Sequence, residues 1–258
     1  MMIRGILLDM DGVLYHGTRR LEGVLVFFDW MPIPYCFVTN NSSRTPQQVA
    51  EKLASMEIAA SPNQIITSSI VTAHYLRENA PPKARILAIG EVGLFTALEE
   101  AGFILVDNHP DYVVVGLDRA FDDPKLHCAV QAIHSGAKFI ATNMDMVLMT
   151  QNGALPGTGT IVNRIAETAQ QEPLIMGKPQ RPIFEMAANQ LHLPMQELLM
   201  IGDNLETDVR GALQNGLLSA WLSTGVSTYD DLQNTALTPH FIGNNLVDLI
   251  PQIEAYIV

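Results

Sequence analysis

The sequence predicts an α/β fold in which a parallel sheet is interrupted by a second α/β unit. Three observations carry this. Short apolar runs recur at Ile6-Leu7-Leu8, Tyr35-Cys36-Phe37-Val38, Leu174-Ile175-Met176 and Leu198-Leu199-Met200-Ile201, as strands buried on both faces require. Helical stretches alternate with these runs, which is what crossovers between parallel strands need. A fresh strand–helix alternation then starts after Pro81-Pro82 and lasts to about residue 170.

Taken in order, the first part reads as a strand over 3–8, a loop, a short helix near 23–31, a strand over 35–39 and a helix over 46–56. Thr45 stands where a helix N-cap belongs, with Pro46 at the first helical position. A helix over 67–79 stops before Pro81-Pro82, which no helix continues. The inserted unit reads as strand 85–90, helix 92–101, strands 103–106 and 112–116, helix 124–135, strand 138–142, a long loop and helix 159–170. After Leu174 come helix 182–191, strand 198–202, helix 205–215, strand 217–222, a short strand near 241 and a helix over 245–255. The expected domains are a discontinuous core, 1–80 with 174–258, and an insertion at 81–173. A domain accepts such an insertion when the chain leaves and returns at neighbouring points.

At 258 residues and 48% hydrophobic, the chain has material for two cores and lacks the composition of a disordered protein. Its net charge of −12 argues against sequence-independent nucleic-acid binding, which needs clustered Lys and Arg. Cys36, in an apolar run, and Cys128, in an expected helix, read as free thiols. Arg4 and Asp9 flank an apolar run too short for a signal peptide, and Asp29, Pro32 and Pro34 disqualify 24–38 as a membrane span. A soluble, cytoplasmic protein with no nucleic-acid or membrane partner is expected.

Polar residues collect where the apolar runs end. Asp9-Met10-Asp11-Gly12 follows the first, and Thr39-Asn40 closes the second. Gly177-Lys178-Pro179 follows the third, and Gly202-Asp203-Asn204 the fourth, with Asp208 a turn later. Open parallel sheets bind ligands outside the carboxyl ends of their strands. Two adjacent carboxylates resist ionising together unless a cation compensates them. In extended chain, residues i and i+2 point the same way, so Asp9 and Asp11 would face one ligand. Carboxylates, a hydroxyl, amides and one lysine make the inventory of a site for a magnesium-bound phosphate.

The ordered set Asp9-Met10-Asp11-Gly12-Val13, Thr39-Asn40, Gly177-Lys178-Pro179 and Gly202-Asp203 with Asp208 resembles the four motifs of the haloacid dehalogenase superfamily. The insert, with Pro110-Asp111-Tyr112 leading to Asp118 and with Pro156-Gly157-Thr158-Gly159, is similar to the type IIA cap of the p-nitrophenyl phosphatase-like subfamily. The resemblance implies a Rossmann-like parallel-sheet core with an inserted α/β type IIA cap domain. It also implies an Mg2+-dependent phosphatase that cleaves a small phosphorylated metabolite through an aspartyl-phosphate. By motif, Asp9 is the nucleophile and a metal ligand. Asp11 is the general acid/base, and its backbone carbonyl would also ligate the metal. An aspartate at position 11 marks the phosphatases and phosphomutases of the family rather than its dehalogenases. Thr39, Asn40, Lys178 and Asn204 would bind the substrate's phosphoryl group, and Asp203 would ligate Mg2+ directly. Asp208 would bind through water or orient Lys178.

The loop Thr142 to Thr150 matches the segment that overhangs the active site in the subfamily, with Asn143, Asp145, Met146 and Met149 as candidate specificity residues. Its methionines would either form an adaptable apolar surface or fill the cap core. Two other functions fit the same motifs. A phosphomutase would pass the phosphoryl group to a bound hydroxyl, and a non-catalytic binding protein would betray itself by a missing motif residue. No motif residue is missing.

Overall fold

The computed structural model describes residues 2–150 and 153–257, the side chains of Met149 and Thr150 excepted. Strands β1 (Gly5–Leu8), β2 (Tyr15–His16) and β3 (Arg19–Arg20) lead into α1 (Val24–Trp30), β4 (Tyr35–Thr39), α2 (Pro46–Ala54), β5 (Ile65–Thr67) and α3 (Ser68–Asn79). Next come β6 (Arg85–Ile89), α4 (Val92–Glu100), β7 (Ile104–Leu105), β8 (Tyr112–Val115), α5 (Asp123–His134) and β9 (Lys138–Ala141). β10 (Val147–Thr150), β11 (Gly153–Pro156), α6 (Thr158–Ala169) and β12 (Leu174–Ile175) follow. The last part holds α7 (Arg181–Leu191), β13 (Leu198–Gly202), α8 (Arg210–Gln214), β14 (Leu218–Leu222), α9 (Tyr229–Gln233), β15 (Phe241–Gly243) and α10 (Leu246–Ile253).

These elements form two compact units. Residues 1–39, 50–66 and 178–258 make the first, and 40–49 with 67–177 the second. The first holds a six-stranded sheet in the order β15-β14-β13-β1-β4-β5, parallel from β15 to β4. β1 and β13 are buried along their whole length, which explains why both read as continuous apolar runs rather than alternating ones. From β1 the chain steps to β4 on one side, while β13 steps to β14 and β15 on the other. The carboxyl ends of β1 and β13 therefore flank a topological switch point, where such sheets bind ligands.

The second unit is built on a five-stranded sheet, β12-β9-β8-β6-β7, parallel throughout. Leu87, Val113, Val115 and Phe139 from its strands pack with Leu126 and Ile133 of α5 and Val162 and Ile165 of α6.

The expected partition and the two observed units differ at 40–49, 67–80 and 174–177. α3 packs against α4, so it lies with the second unit. Leu174 and Ile175 pair with Ile140 and Ala141 of β9, so the third apolar run of the sequence extends the second sheet rather than the first. Two hairpins, one short strand and one short helix lie where only loops or nothing regular were expected. Gly17, at φ 61°, sits in the two-residue turn that lets β2 and β3 form a hairpin. β10 and β11 pair antiparallel within the expected long loop. β5 is three residues long, and α9 is a five-residue helix capped by Thr228. No helix among the described residues is long and apolar enough to cross a membrane.

Candidate active site

The site in the first unit is assembled by strand register. Leu8 pairs with Ile201, and the Asp9 N–H continues the ladder to the Ile201 carbonyl at 2.9 Å. Asp9 is thereby held beside Gly202 and Asp203, at the switch point. The Lys178 ammonium lies between two carboxylates, 2.7 Å from Asp9 Oδ1 and 2.6 Å from Asp208 Oδ1. Asp208 Oδ2 accepts the Asn204 N–H at 3.1 Å. Asp9, Asp203 and Asp208 each offer a carboxylate oxygen, and the three lie within 4.8 Å of one another. Lys178, Asp203 and Asp208 are almost fully buried.

Burial raises the pKa of all three carboxyls: Asp9 upward, Asp203 well upward, and Asp208 to about 6. Burial alone would lower that of Lys178, but the charges of Asp208 and Asp9 outweigh it and hold the ammonium protonated. The two directions conflict for an ion pair, since one partner favours its charged form and the other its neutral form. The cause is arithmetic: one ammonium faces three carboxylates, and the unbalanced negative charge is costly in a buried site. A divalent cation supplies the missing charge, and an all-oxygen donor set suits a hard ion such as magnesium or calcium.

Glycines make room for these carboxylates. At Gly12, whose φ is +85°, a Cβ would stand 2.5 Å from Asp203 Oδ2. At Gly202 a Cβ would stand 2.2 Å from the Asp208 carboxylate. Gly202→Ala is therefore expected to lower stability by about 1 to 3 kcal/mol, the usual cost of overpacking. It should also displace Asp208 from Lys178. A chemical-denaturation midpoint equal to the parent's would contradict that crowding.

Asp208 lies in a five-residue π-helical turn, Leu205–Val209, that precedes α8. The expected single helix over 205–215 is thus a wide turn followed by a short α-helix. Asn204 spends its side-chain oxygen on capping that turn, accepting from the Glu206 and Thr207 N–H groups. The Asp11 carboxyl stands outside the trio. Burial raises its pKa against the opposing pull of Lys52 and His16, and Lys52 lies over the Tyr15 ring at 3.7 Å. Thr39 is buried at the end of β4.

In the second unit, Asn40 meets the candidate loop residues. Its side-chain amide donates to Asp145 Oδ1 at 3.0 Å, and its carbonyl accepts from Asn143 Nδ2 and Ser68 Oγ, both at 2.7 Å. Asn143 Oδ1 in turn accepts the Asp145 N–H at 3.1 Å. The loop methionines divide: Met144 packs against the core of this unit, whereas Met146 is 51% exposed. Met149 belongs to β10, and its side chain lies outside the described residues.

Sequence reasoning missed the end of β14 and the segment after it. Val226 N–H donates to Asp203 Oδ2 at 2.6 Å, the Trp221 indole N–H donates to the Asp203 carbonyl at 3.0 Å, and the Thr224 hydroxyl donates to the Gly12 carbonyl. Its Ser-Thr-Gly composition reads as an ordinary loop, and no local pattern announces partners so distant in sequence.

Residues 6–104 match the family described as haloacid dehalogenase-like hydrolase, and residues 175–249 the one described as HAD-hydrolase-like. An acid sugar phosphatase of Staphylococcus epidermidis is 39% identical over 252 residues, 96% of this chain and 97% of that protein. A solved double mutant of a thermostable NPPase from Geobacillus stearothermophilus superposes with a TM-score of 0.88 at 40% identity, covering 95% of this chain and 96% of that one. A glycerol phosphate phosphatase from Mycobacterium tuberculosis, solved with magnesium, gives a TM-score of 0.91 at 31% identity, covering 96% of this chain and 76% of that one.

Proposed function

The chain belongs to the haloacid dehalogenase-like hydrolases as a phosphatase, and from that premise we propose that it hydrolyses small phosphomonoesters with Mg2+ through an aspartyl-phosphate on Asp9. The observation that carries this reading is the Lys178 ammonium bridging Asp9 and Asp208 beside Asp203 at the switch point. Asp9 and Asp203 would hold the cation, with the Asp11 backbone carbonyl. When bound, Mg2+ neutralises the phosphoryl oxygens and the surrounding carboxylates.

An Asp9 carboxylate oxygen attacks phosphorus as the ester P–O bond breaks, and the departing oxygen takes the proton of the Asp11 carboxyl. Burial raises the Asp11 pKa and so favours the protonated form that this step needs. Water then attacks the phosphorus of the aspartyl-phosphate, giving a proton to Asp11 and freeing inorganic phosphate and the Asp9 carboxylate. Lys178 balances charge on Asp9 and on the phosphoryl oxygens, and Asp208 keeps it aimed. Thr39, with Asn40 after it, supplies hydrogen-bond donors to the phosphoryl group, and Asn204 lines the site by its backbone and cap. By the family resemblance the insertion at 81–173 would serve as the cap, and the half-exposed Met146 would be its residue that discriminates among leaving groups.

Hydrolysis in heavy-oxygen water tests the reaction. One labelled oxygen should enter inorganic phosphate, whereas transfer to a bound hydroxyl without label would establish a phosphomutase instead. A panel of sugar phosphates, glycerol phosphate and p-nitrophenyl phosphate tests the loop. Met146→Lys is expected to change the ranking of kcat/KM by about tenfold for the larger alcohols, since a buried apolar contact of 1 to 2 kcal/mol is at stake. A folded variant with the parent's ranking across the panel would remove the loop from substrate selection.

A further inference from the structure

The five residues after β14 carry none of the family motifs, yet they reach both turns that bear the site's carboxylates. We infer that the 223–227 segment is a positioning device for the cation site and that Thr224 is its principal side chain. The inference rests on the reading of Asp9 and Asp203 as ligands of a divalent cation. The Thr224 hydroxyl donates to the Gly12 carbonyl and ties down the turn that starts at Asp9. Two residues on, the Val226 N–H holds Asp203 Oδ2 at 2.6 Å. The Asp203 carbonyl accepts from Ser227 N–H at 3.3 Å and from the Trp221 indole at 3.0 Å, and the Ser227 hydroxyl accepts the Leu205 N–H at 3.0 Å. Between Thr224 and Val226, a Cβ on Gly225 would fall 1.8 Å from Asp203 Oδ2, so only glycine leaves the carboxylate in place.

One short segment thus fixes Asp203 at its backbone and its carboxylate, and fixes the Asp9 turn at Gly12. The two ligand-bearing turns lie some 190 residues apart in sequence, so nothing local sets their spacing. Like charges would drive them apart before a cation binds. A bond from one segment to both opposes that drift. Breaking it at Thr224 removes no ligand but lets the Gly12 turn move relative to Asp203. Partners of metal ligands act in this way, and losing one typically costs about 10- to 100-fold in metal affinity.

The test is the dependence of melting temperature on MgCl2 concentration, which gives a Kd without turnover. Thr224→Val, which keeps the shape and loses the hydroxyl, should raise the Mg2+ Kd about tenfold. Thr224→Ser should return it to within about twofold of the parent, because the donor is restored. Val226→Pro, which deletes the N–H, should weaken Mg2+ binding in the same direction. All variants should melt near the parent in EDTA. If Thr224→Val lowers the melting point in EDTA while its Mg2+ Kd matches the parent's, Thr224 is merely structural and the inference fails alone. A parent chain indifferent to Mg2+ overturns the cation reading and this inference together.

Discussion

Asp9→Asn is expected to lower kcat on p-nitrophenyl phosphate by roughly 10^3- to 10^6-fold, the range seen when a nucleophile is removed. The amide oxygen that replaces the carboxylate is a poor nucleophile, and the change also removes one ligand from the cation site. The fold should survive for reasons visible in the site. Asn has the shape of Asp, so no cavity opens. Lys178 keeps Asp208 at 2.6 Å, so its buried ammonium is not left unpaired. Asn also removes one of the like charges that crowd Asp203. The measurements are steady-state rates beside a thermal melt followed by circular dichroism. Near-parental hydrolysis by a variant with a parental melt would sink the nucleophile assignment. Loss of both together would indicate a structural residue instead.

Much of this site is legible in the sequence because the chemistry sits directly after strands whose burial on both faces makes them continuous apolar runs. Leu8 then Asp9, Val38 then Thr39 and Ile201 then Gly202-Asp203 are each a strand ending at a polar residue, and the parallel register brings those ends together. Leu174-Ile175 shows the limit of that logic. An apolar run reveals that a strand is buried but not which sheet it joins, and this one pairs with β9. The ambiguity over Asp208 has a geometric cause. Spacing alone does not separate an α-turn from a π-turn, and the wider turn turns its carboxylate back to Lys178. The β10–β11 hairpin was hidden because the run Val147-Leu148-Met149 shows no alternation of apolar and polar residues. Met144 and Met146 point to different environments for want of any signal in composition: the former packs inward and the latter is exposed. The bonds from 221–227 to Asp203 and Gly12 join residues far apart in sequence, so they exist only in the folded chain.

Removing divalent cations should abolish turnover, by about 100-fold or more, and should also lower the melting temperature. Three carboxylate oxygens within 4.8 Å of one another repel by about 3 to 4 kcal/mol per ionised pair at an effective dielectric of 20. Lys178 offsets one charge, which leaves an excess that the cation has to absorb. Binding to the folded chain alone stabilises it by about 2.7 kcal/mol at a cation concentration 100 times Kd, a shift of several degrees. Added Mg2+ should restore both rate and melting point after EDTA. Calcium should restore the melting point better than the rate, because its larger, looser shell holds Asp9 and the phosphoryl group less well for attack. Asp203→Asn separates the two effects: it should blunt the Mg2+-dependent rise in melting temperature while relieving repulsion in EDTA. Full activity in metal-free buffer would refute the cation's part in this chemistry, and an Mg2+ response undiminished in Asp203→Asn would remove Asp203 from the ligand set.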